Sequence, residues 1–329
     1  MLGWNHPAAT WDIKNFNLDI LRQLCPGISD SELPGIKQKS NPSRFYGEWI
    51  WGDYTNPNAV TMIKNKMKNA WSYGLKGTMV DFGEYVEEAT YFSNGLTGDE
   101  MHNLYAYYYN KATNEAWKEG AAEDYILFAR AGCAGSQQFA ANFGGDQKTS
   151  FTGLEQAIKG GINISASGYS VWGSDIGGLE SVPSEDLYMR WLQFATFSPL
   201  MRAHGPDRHP WVHGEVVEKN FTEMYWLREN LIDLLYSANI QSGKNGKPMM
   251  QSMALAYPNN TKLVDEMQYM LCNELLVCPI YTSNAYKREV ILPDDTWVSL
   301  WDNTVINGGE KTVIEAPYNR IPVYIRSGS

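Results

Sequence analysis

GTMVD, residues 77–81, is a short apolar run closed by a carboxylate. A parallel strand buried on both faces reads this way, as a continuous apolar run rather than an alternating one. Immediately upstream, Val60, Ile63, Met67 and Trp71 recur at helical spacing, so a helix with one core-facing side leads into the strand. Asn56 is placed to cap that helix and Pro57 to take its first position. Gly74 marks its end. Glu48–Trp51 reads as a further strand before it.

Working outward, the pattern repeats. A helix is expected over residues 99–118, with Met101, Tyr105, Tyr108 and Ala112 on one side. The strand YILFAR (125–130) follows and ends in Arg130. Gln137–Phe143 leads to GGD at 144–146. A helix near Gly153–Lys159 precedes a strand around Tyr169–Trp172, which runs into SDIGG. Ser184 is placed to cap a helix over 184–195, FSPLMRAH (197–204) reads as another strand tip, and a helix spans about 220–235. Helices that alternate with short apolar strands imply an α/β fold of the TIM type, a (β/α) barrel, where functional groups collect at the carboxyl ends of the strands. Those ends carry Asp81, Arg130, Asp146, Asp175, Arg202 and His204. Beyond about residue 245 the texture changes. VILPDDTWVSLWD and TVIEAPYNRIPVYIRS are β-rich runs separated by NGGEK, with Gly308 and Gly309 at the turn. A small antiparallel β unit is expected there.

Charge and composition narrow the partners. The formal net charge is −10, from 37 acidic and 27 basic residues, and no basic cluster interrupts it. Such a surface repels nucleic acid and anionic membrane. No run of about 18 apolar residues suggests a membrane span. The start, MLGWNHPAATWD, lacks a basic segment followed by an apolar run and does not read as a signal peptide. The cytoplasm is favoured for the chain as given, and the compartment is otherwise open. Cys25, Cys133, Cys272 and Cys278 match no zinc or redox spacing, so buried free thiols are expected. The 20 tyrosines and 12 tryptophans suit stacking on sugar faces, although a single ring more often fills a core.

Cleavage of a glycosidic bond needs one group to attack and another to protonate the leaving oxygen. Asp81 and Asp146, each closing a strand, are candidates. Arg130 is placed to pair with a nucleophilic carboxylate, His204 to donate to a hydroxyl, and Asp175 to accept from one. The glycine pairs at 144–145 and 177–178 permit backbone to pass close to a ligand. From the residues alone a second reading stands equally: a buried ion-pair network closing the barrel end. His102, His209 and His213 need no catalytic role, and His102 is expected to make a structural hydrogen bond.

The chain resembles glycoside hydrolase family 31. The matching segments are DYTNP (53–57), VDFGEY (80–85), HNLY (102–105), FARAGCAGSQQFAANFGGDQ (128–147), GSDIGG (173–178), DLYMRWLQFATFSPLMRAHG (186–205), LLVCP (275–279) and IPVYIRSGS (321–329). The resemblance implies a retaining, exo-acting α-glycosidase that forms a covalent glycosyl-enzyme. Asp81 would be its nucleophile and Asp146 its acid/base. Arg130, Asp175 and His204 would bind the sugar, Phe143 and Trp172 would line the pocket, and Arg202 would support it. No cofactor or metal is implied, and the partner is an α-linked oligosaccharide or glycoside. The mechanism asks for a raised Asp146 pKa and an ordinary or lowered one at Asp81.

The FGEY form and the RAG segment are more similar to the sulfoquinovosidase branch than to the family's α-glucosidases. Leu179 stands where that branch has a tyrosine after DIGG, so a neutral α-glycoside is expected first and a sulfoquinovoside second. The resemblance runs from about residue 47 onward. It divides the chain into an irregular lead segment or loop insertion (1–45), the later part of the barrel (46–245), and the barrel end with the start of a C-terminal β domain (246–329). The first barrel strands are apparently lacking. An open barrel edge is an association hazard, so self-association, a complementary chain, or an inactive or partner-dependent carbohydrate-binding role are the alternatives to a working hydrolase.

Overall fold

The computed structural model describes residues 3–5, 8–10, 36–38, 49–86, 88, 91–121, 124–260, 263 and 267–329. The sequence of Ile13–Leu24 suggests a short helix; that stretch and the thiol of Cys25 lie outside these residues. The chain forms two compact units, Met1–Asn142 and Phe143–Ser329.

In the first unit, β1 (Gly3–Asn5), β2 (Ala8–Thr10), β3 (Ile36–Gln38) and β4 (Trp49–Trp51) come first. β2, β4 and β3 form a small antiparallel sheet in that order. Three of these strands fall in a stretch whose sequence shows neither alternation nor an apolar run. α1 (Pro57–Ser72) follows, with the Asn56 side chain accepting from Asn58 N and proline in its first turn. Then come β5 (Gly77–Val80), α2 (Gly98–Ala121), β6 (Ile126–Ala129) and β7 (Ala141–Phe143). β1, β5, β6 and β7 lie side by side and parallel. Their helices and strands alternate as a partial (β/α) barrel requires.

The core of this unit joins Ile63 and Met67 of α1 to Met101, Tyr105, Ala112 and Trp117 of α2. Tyr108 is only partly buried, and its neighbour Tyr109 takes the core position instead. Tyr54 stacks on Tyr109 with ring centroids 5.2 Å apart. Asp53 fastens the loop before α1. One of its oxygens accepts from Thr55 N at 3.0 Å and the other from Ser93 N at 2.8 Å. His102 bonds through Nδ1 to Val86 O at 3.0 Å, a structural contact as expected.

The second unit contains α3 (Phe151–Ala166), β8 (Trp172–Gly173), α4 (Glu185–Thr196), α5 (Glu215–Asn230) and α6 (Ile232–Asn245). Ser150 and Ser184 cap α3 and α4 through their side chains. Two expectations are corrected here. Residues 197–204 do not form a strand, although Leu200 N bonds to Trp172 O and Arg202 makes an isolated parallel bridge to Asp175. The carbonyls of Thr196, Ser198 and Pro199 are taken by the Arg228 guanidinium, which leaves them unavailable to a sheet neighbour. The single helix expected over 220–235 is two helices, starting at Glu215 and broken at Leu231, whose N–H reaches back to carbonyls of α5.

The remainder is antiparallel β, as expected. It comprises β9 (Met250–Ser252), α7 (Met253–Ala256), β10 (Tyr269–Leu271), β11 (Leu275–Val277), β12 (Lys287–Ile291), β13 (Thr296–Ser299), β14 (Val305–Asn307), β15 (Lys311–Glu315) and β16 (Val323–Arg326). Six strands order as β14-β13-β16-β11-β10-β9, and β12 pairs with β15. Arg190 of α4 ties this region to the helices. Fully buried, it donates to the carbonyls of Ala285, Ala316, Pro317 and Arg320 over 2.9–3.2 Å. Cys272 and Cys278 are buried, whereas Cys133 is half-buried, a correction to its expected burial. Among the described residues no helix is long and apolar enough to cross a membrane.

Candidate active site

Two clusters of polar side chains stand at strand ends, one in each unit. In the first, Asp81 directly follows β5, and its Oδ1 accepts from Phe82 N at 2.9 Å. The β5–β6 register pairs Val80 with Ala129, so the next residue, Arg130, arrives beside Asp81. Arg130 Nη1 lies 3.3 Å from Asp81 Oδ1, and Nη2 lies 2.5 Å from Glu84 Oε1. One guanidinium therefore serves two carboxyl groups. It rests over the Phe82 ring at 4.0 Å, with the Tyr85 ring at 5.9 Å.

Local backbone makes this arrangement. Phe82 has φ +61°, in the left-handed region, which costs a side-chain-bearing residue about 1–2 kcal/mol. Gly83 follows at φ +103°, and a Cβ there would sit 3.3 Å from Tyr109 Cδ1 and 3.5 Å from Ala131 Cβ. The two residues turn the chain so that Glu84 faces Arg130. Burial pushes the Glu84 carboxyl up from its ordinary range, against the pull of Arg130. Beneath lies Tyr109, 0 % exposed. Its hydroxyl and Glu84 Oε2 are buried without a hydrogen bond among the described residues. Glu84 belongs to VDFGEY, but no local pattern there points to its sharing of Arg130.

In the second unit, two turns are bonded to each other. Asp146 is exposed and sits in the turn after β7. The next side chain, Gln147, accepts from Asp175 N at 3.3 Å, and Gln147 O accepts from Leu179 N at 2.9 Å. Asp175 is 1 % exposed. Its Oδ1 lies 2.7 Å from Arg202 Nε, and Ile176 N donates to Arg202 O at 3.0 Å. The Arg202 guanidinium covers the Phe143 ring at 4.5 Å. Burial pushes the Asp175 carboxyl up to about 7. Arg202 opposes that rise and the charge of Asp146 adds to it.

The expected residues thus divide. Asp81 and Arg130 meet in one cluster. Phe143, Asp175 and Arg202 meet in the other, with Asp146 joined to it through its neighbour Gln147. Trp172 is 2 % exposed and packs near Phe194 with ring centroids 6.4 Å apart. His204 is exposed. Among the described residues no three His, Cys, Asp or Glu side chains gather as a metal site would require.

Comparison with known proteins matches the family model for the glycosyl hydrolases family 31 TIM-barrel domain to residues 26–238. The chain belongs to glycosyl hydrolase family 31. The family's C-terminal domain matches residues 246–329. A sulfoquinovosidase of Escherichia coli (strain K12) is 32% identical over 300 residues, which is 87% of this chain and 44% of that protein. An alpha-xylosidase of Emericella nidulans is 30% identical over 291 residues, covering 84% of this family 31 chain and 37% of its relative. The structure of the cycloalternan-forming enzyme from Listeria monocytogenes, in complex with a pentasaccharide substrate, superposes with a TM-score of 0.89 at 29% identity. That match covers 100% of this chain and 33% of the other. The chain therefore spans less than half the length of these relatives.

Proposed function

We propose that this chain carries the catalytic carboxylates of a retaining, exo-acting α-glycosidase. The observation that carries the reading is Arg130 at the β6 tip, held between Asp81 and Glu84 in the segments that define the family resemblance. In this mechanism an Asp81 oxygen bonds to the anomeric carbon of a terminal α-linked sugar. The bond to the leaving oxygen breaks, and that oxygen takes the proton of Asp146. Water, deprotonated by Asp146, then attacks the same carbon and releases Asp81, so the sugar keeps its α configuration. Such enzymes hold their two carboxyl groups about 5–5.5 Å apart.

Asp175 and His204 are the groups proposed to bind sugar hydroxyls, with Arg202, Phe143 and Trp172 supporting and lining the pocket. A hydroxyl that donates to buried Asp175 brings the carboxyl a hydrogen bond that favours its charged form. The substrate class proposed first is a neutral α-glycoside. A sulfoquinovoside is the second reading, favoured by the likeness to the Escherichia coli enzyme and opposed by Leu179 after the DIGG segment.

The test is release of nitrophenol from the α-glucoside, α-galactoside, α-xyloside and α-sulfoquinovoside, with Asp81→Ala as control. The expected result is turnover of one neutral glycoside that falls at least 10⁴-fold in the control, an order-of-magnitude figure for loss of a catalytic nucleophile. Undiminished turnover by Asp81→Ala would remove Asp81 from the mechanism. A folded chain with no turnover of any substrate would favour the partner-dependent or binding-only reading.

A further inference from the structure

The turn that follows Asp175 is held by a residue that no sequence motif singles out. Arg208 is 4 % exposed, and its guanidinium is met by oxygen atoms of three loops. Nε donates to Gly178 O at 2.9 Å, and Nη2 donates to Gly178 O at 2.5 Å and Ser181 O at 2.7 Å. Longer contacts reach Thr149 Oγ1 at 3.3 Å and Gly177 O at 3.4 Å. Nη1 donates to Pro206 O.

The backbone is shaped to deliver these carbonyls. Gly177 and Gly178 both lie in the left-handed region, at φ +82° and +77°. A Cβ on Gly178 would stand 2.7 Å from Lys148 O. Arg208 is itself anchored, because Tyr188 Oη donates to its carbonyl at 2.9 Å and His213 Nε2 contacts Asp207 O at 2.8 Å. A planar fork of five donors suits so many fixed acceptors in a way that the point charge of lysine does not.

We propose that Arg208 is a positioning residue of the sugar site: it gathers the carbonyls of residues 177–181 and so fixes the turn that presents the Asp175 carboxyl. This rests on the reading that Asp175 contacts sugar. Arg208 stands far enough along the chain to act on that turn only through folded contacts.

The experiment compares wild type, Arg208→Lys and Arg208→Met in the full chain by hydrogen exchange of residues 174–182 and by calorimetric titration with 1-deoxynojirimycin. The expected result for Arg208→Met is at least tenfold faster exchange in 174–182, with α4 and β10–β11 unchanged, and at least tenfold weaker binding. Arg208→Lys falls between, and it remains readable if the methionine variant fails to fold. Unchanged exchange in 174–182 overturns the proposal, as does acceleration spread equally over α4 and the strands, which marks a general stability residue. Faster local exchange with undiminished affinity overturns the link to the sugar site. If wild type binds no aza-sugar while local exchange still rises in the variant, the sugar reading of Asp175 fails and Arg208's hold on the turn stands.

Discussion

Asp175 shows how burial and pairing compete at one carboxyl group. Its folded-state pKa is raised to about 7 from 3.8, so the folded state holds this proton more tightly than the unfolded state does. The associated stability is present below about pH 4 and is lost as the pH rises through 7. Urea titrations of wild type and Asp175→Asn between pH 4.5 and 8 should therefore show wild type losing ground to the variant as pH rises, then levelling off. The opposite slope would mean that Arg202 outweighs burial and holds the group charged. At Glu84, exchange to Gln removes one of the two carboxylates that share Arg130. On the proposed glycosidase mechanism, the expected outcome is a drop in kcat of roughly tenfold or more with little change in melting temperature, because a misplaced guanidinium disturbs the geometry of catalysis more than the core. Equal kcat for both proteins would show that Asp81 alone suffices to place Arg130.

Individual elements were legible in the sequence to the degree that local chemistry decided them. α1 begins at Pro57 because Asn56 caps it, and Asn56→Ala should cost about 1 kcal/mol in chemical denaturation. The strand tips at Asp81 and Arg130 were legible because apolar runs end there in charge. The break at Leu231 was not, since no glycine or proline marks it. The absent strand at 197–204 was hidden for a different reason: the competitor for its carbonyls, Arg228, lies some thirty residues away. Arg208 escaped notice because an arginine between two prolines gives no local signal, and only folded contacts show its acceptors. Glu84 lay in plain view, but its partner depends on the β5–β6 register. In the turn after Asp81, Gly83→Ala should move the Asp81–Arg130 pair, because the positive φ and the nearby Tyr109 ring both resist a side chain. The check is a crystal structure of that variant, in which an unchanged 3.3 Å contact would contradict the argument.

Across the whole molecule, the two compact units give stability changes an address. Among the described residues, the hydrogen-bond partners of Arg190 lie in the second unit. Arg190→Met should destabilise it by on the order of 3 kcal/mol, since four carbonyls lose a charged donor in a buried setting. Hydrogen exchange should rise in residues 285–320 and stay constant in α1 and α2. A uniform rise through both units would contradict that division.

The same arginine imposes an order in time. Its carbonyl partners at Pro317 and Arg320 lie 127 and 130 residues further along the chain. At a synthesis speed of about 5–20 residues per second, α4 waits on the order of ten seconds for them. Throughout that interval its guanidinium must stay hydrated, and the helix cannot settle into its final burial. The helix thus emerges well before the carbonyls that fasten it, and a nascent chain stalled before Pro317 would expose that face to chaperones.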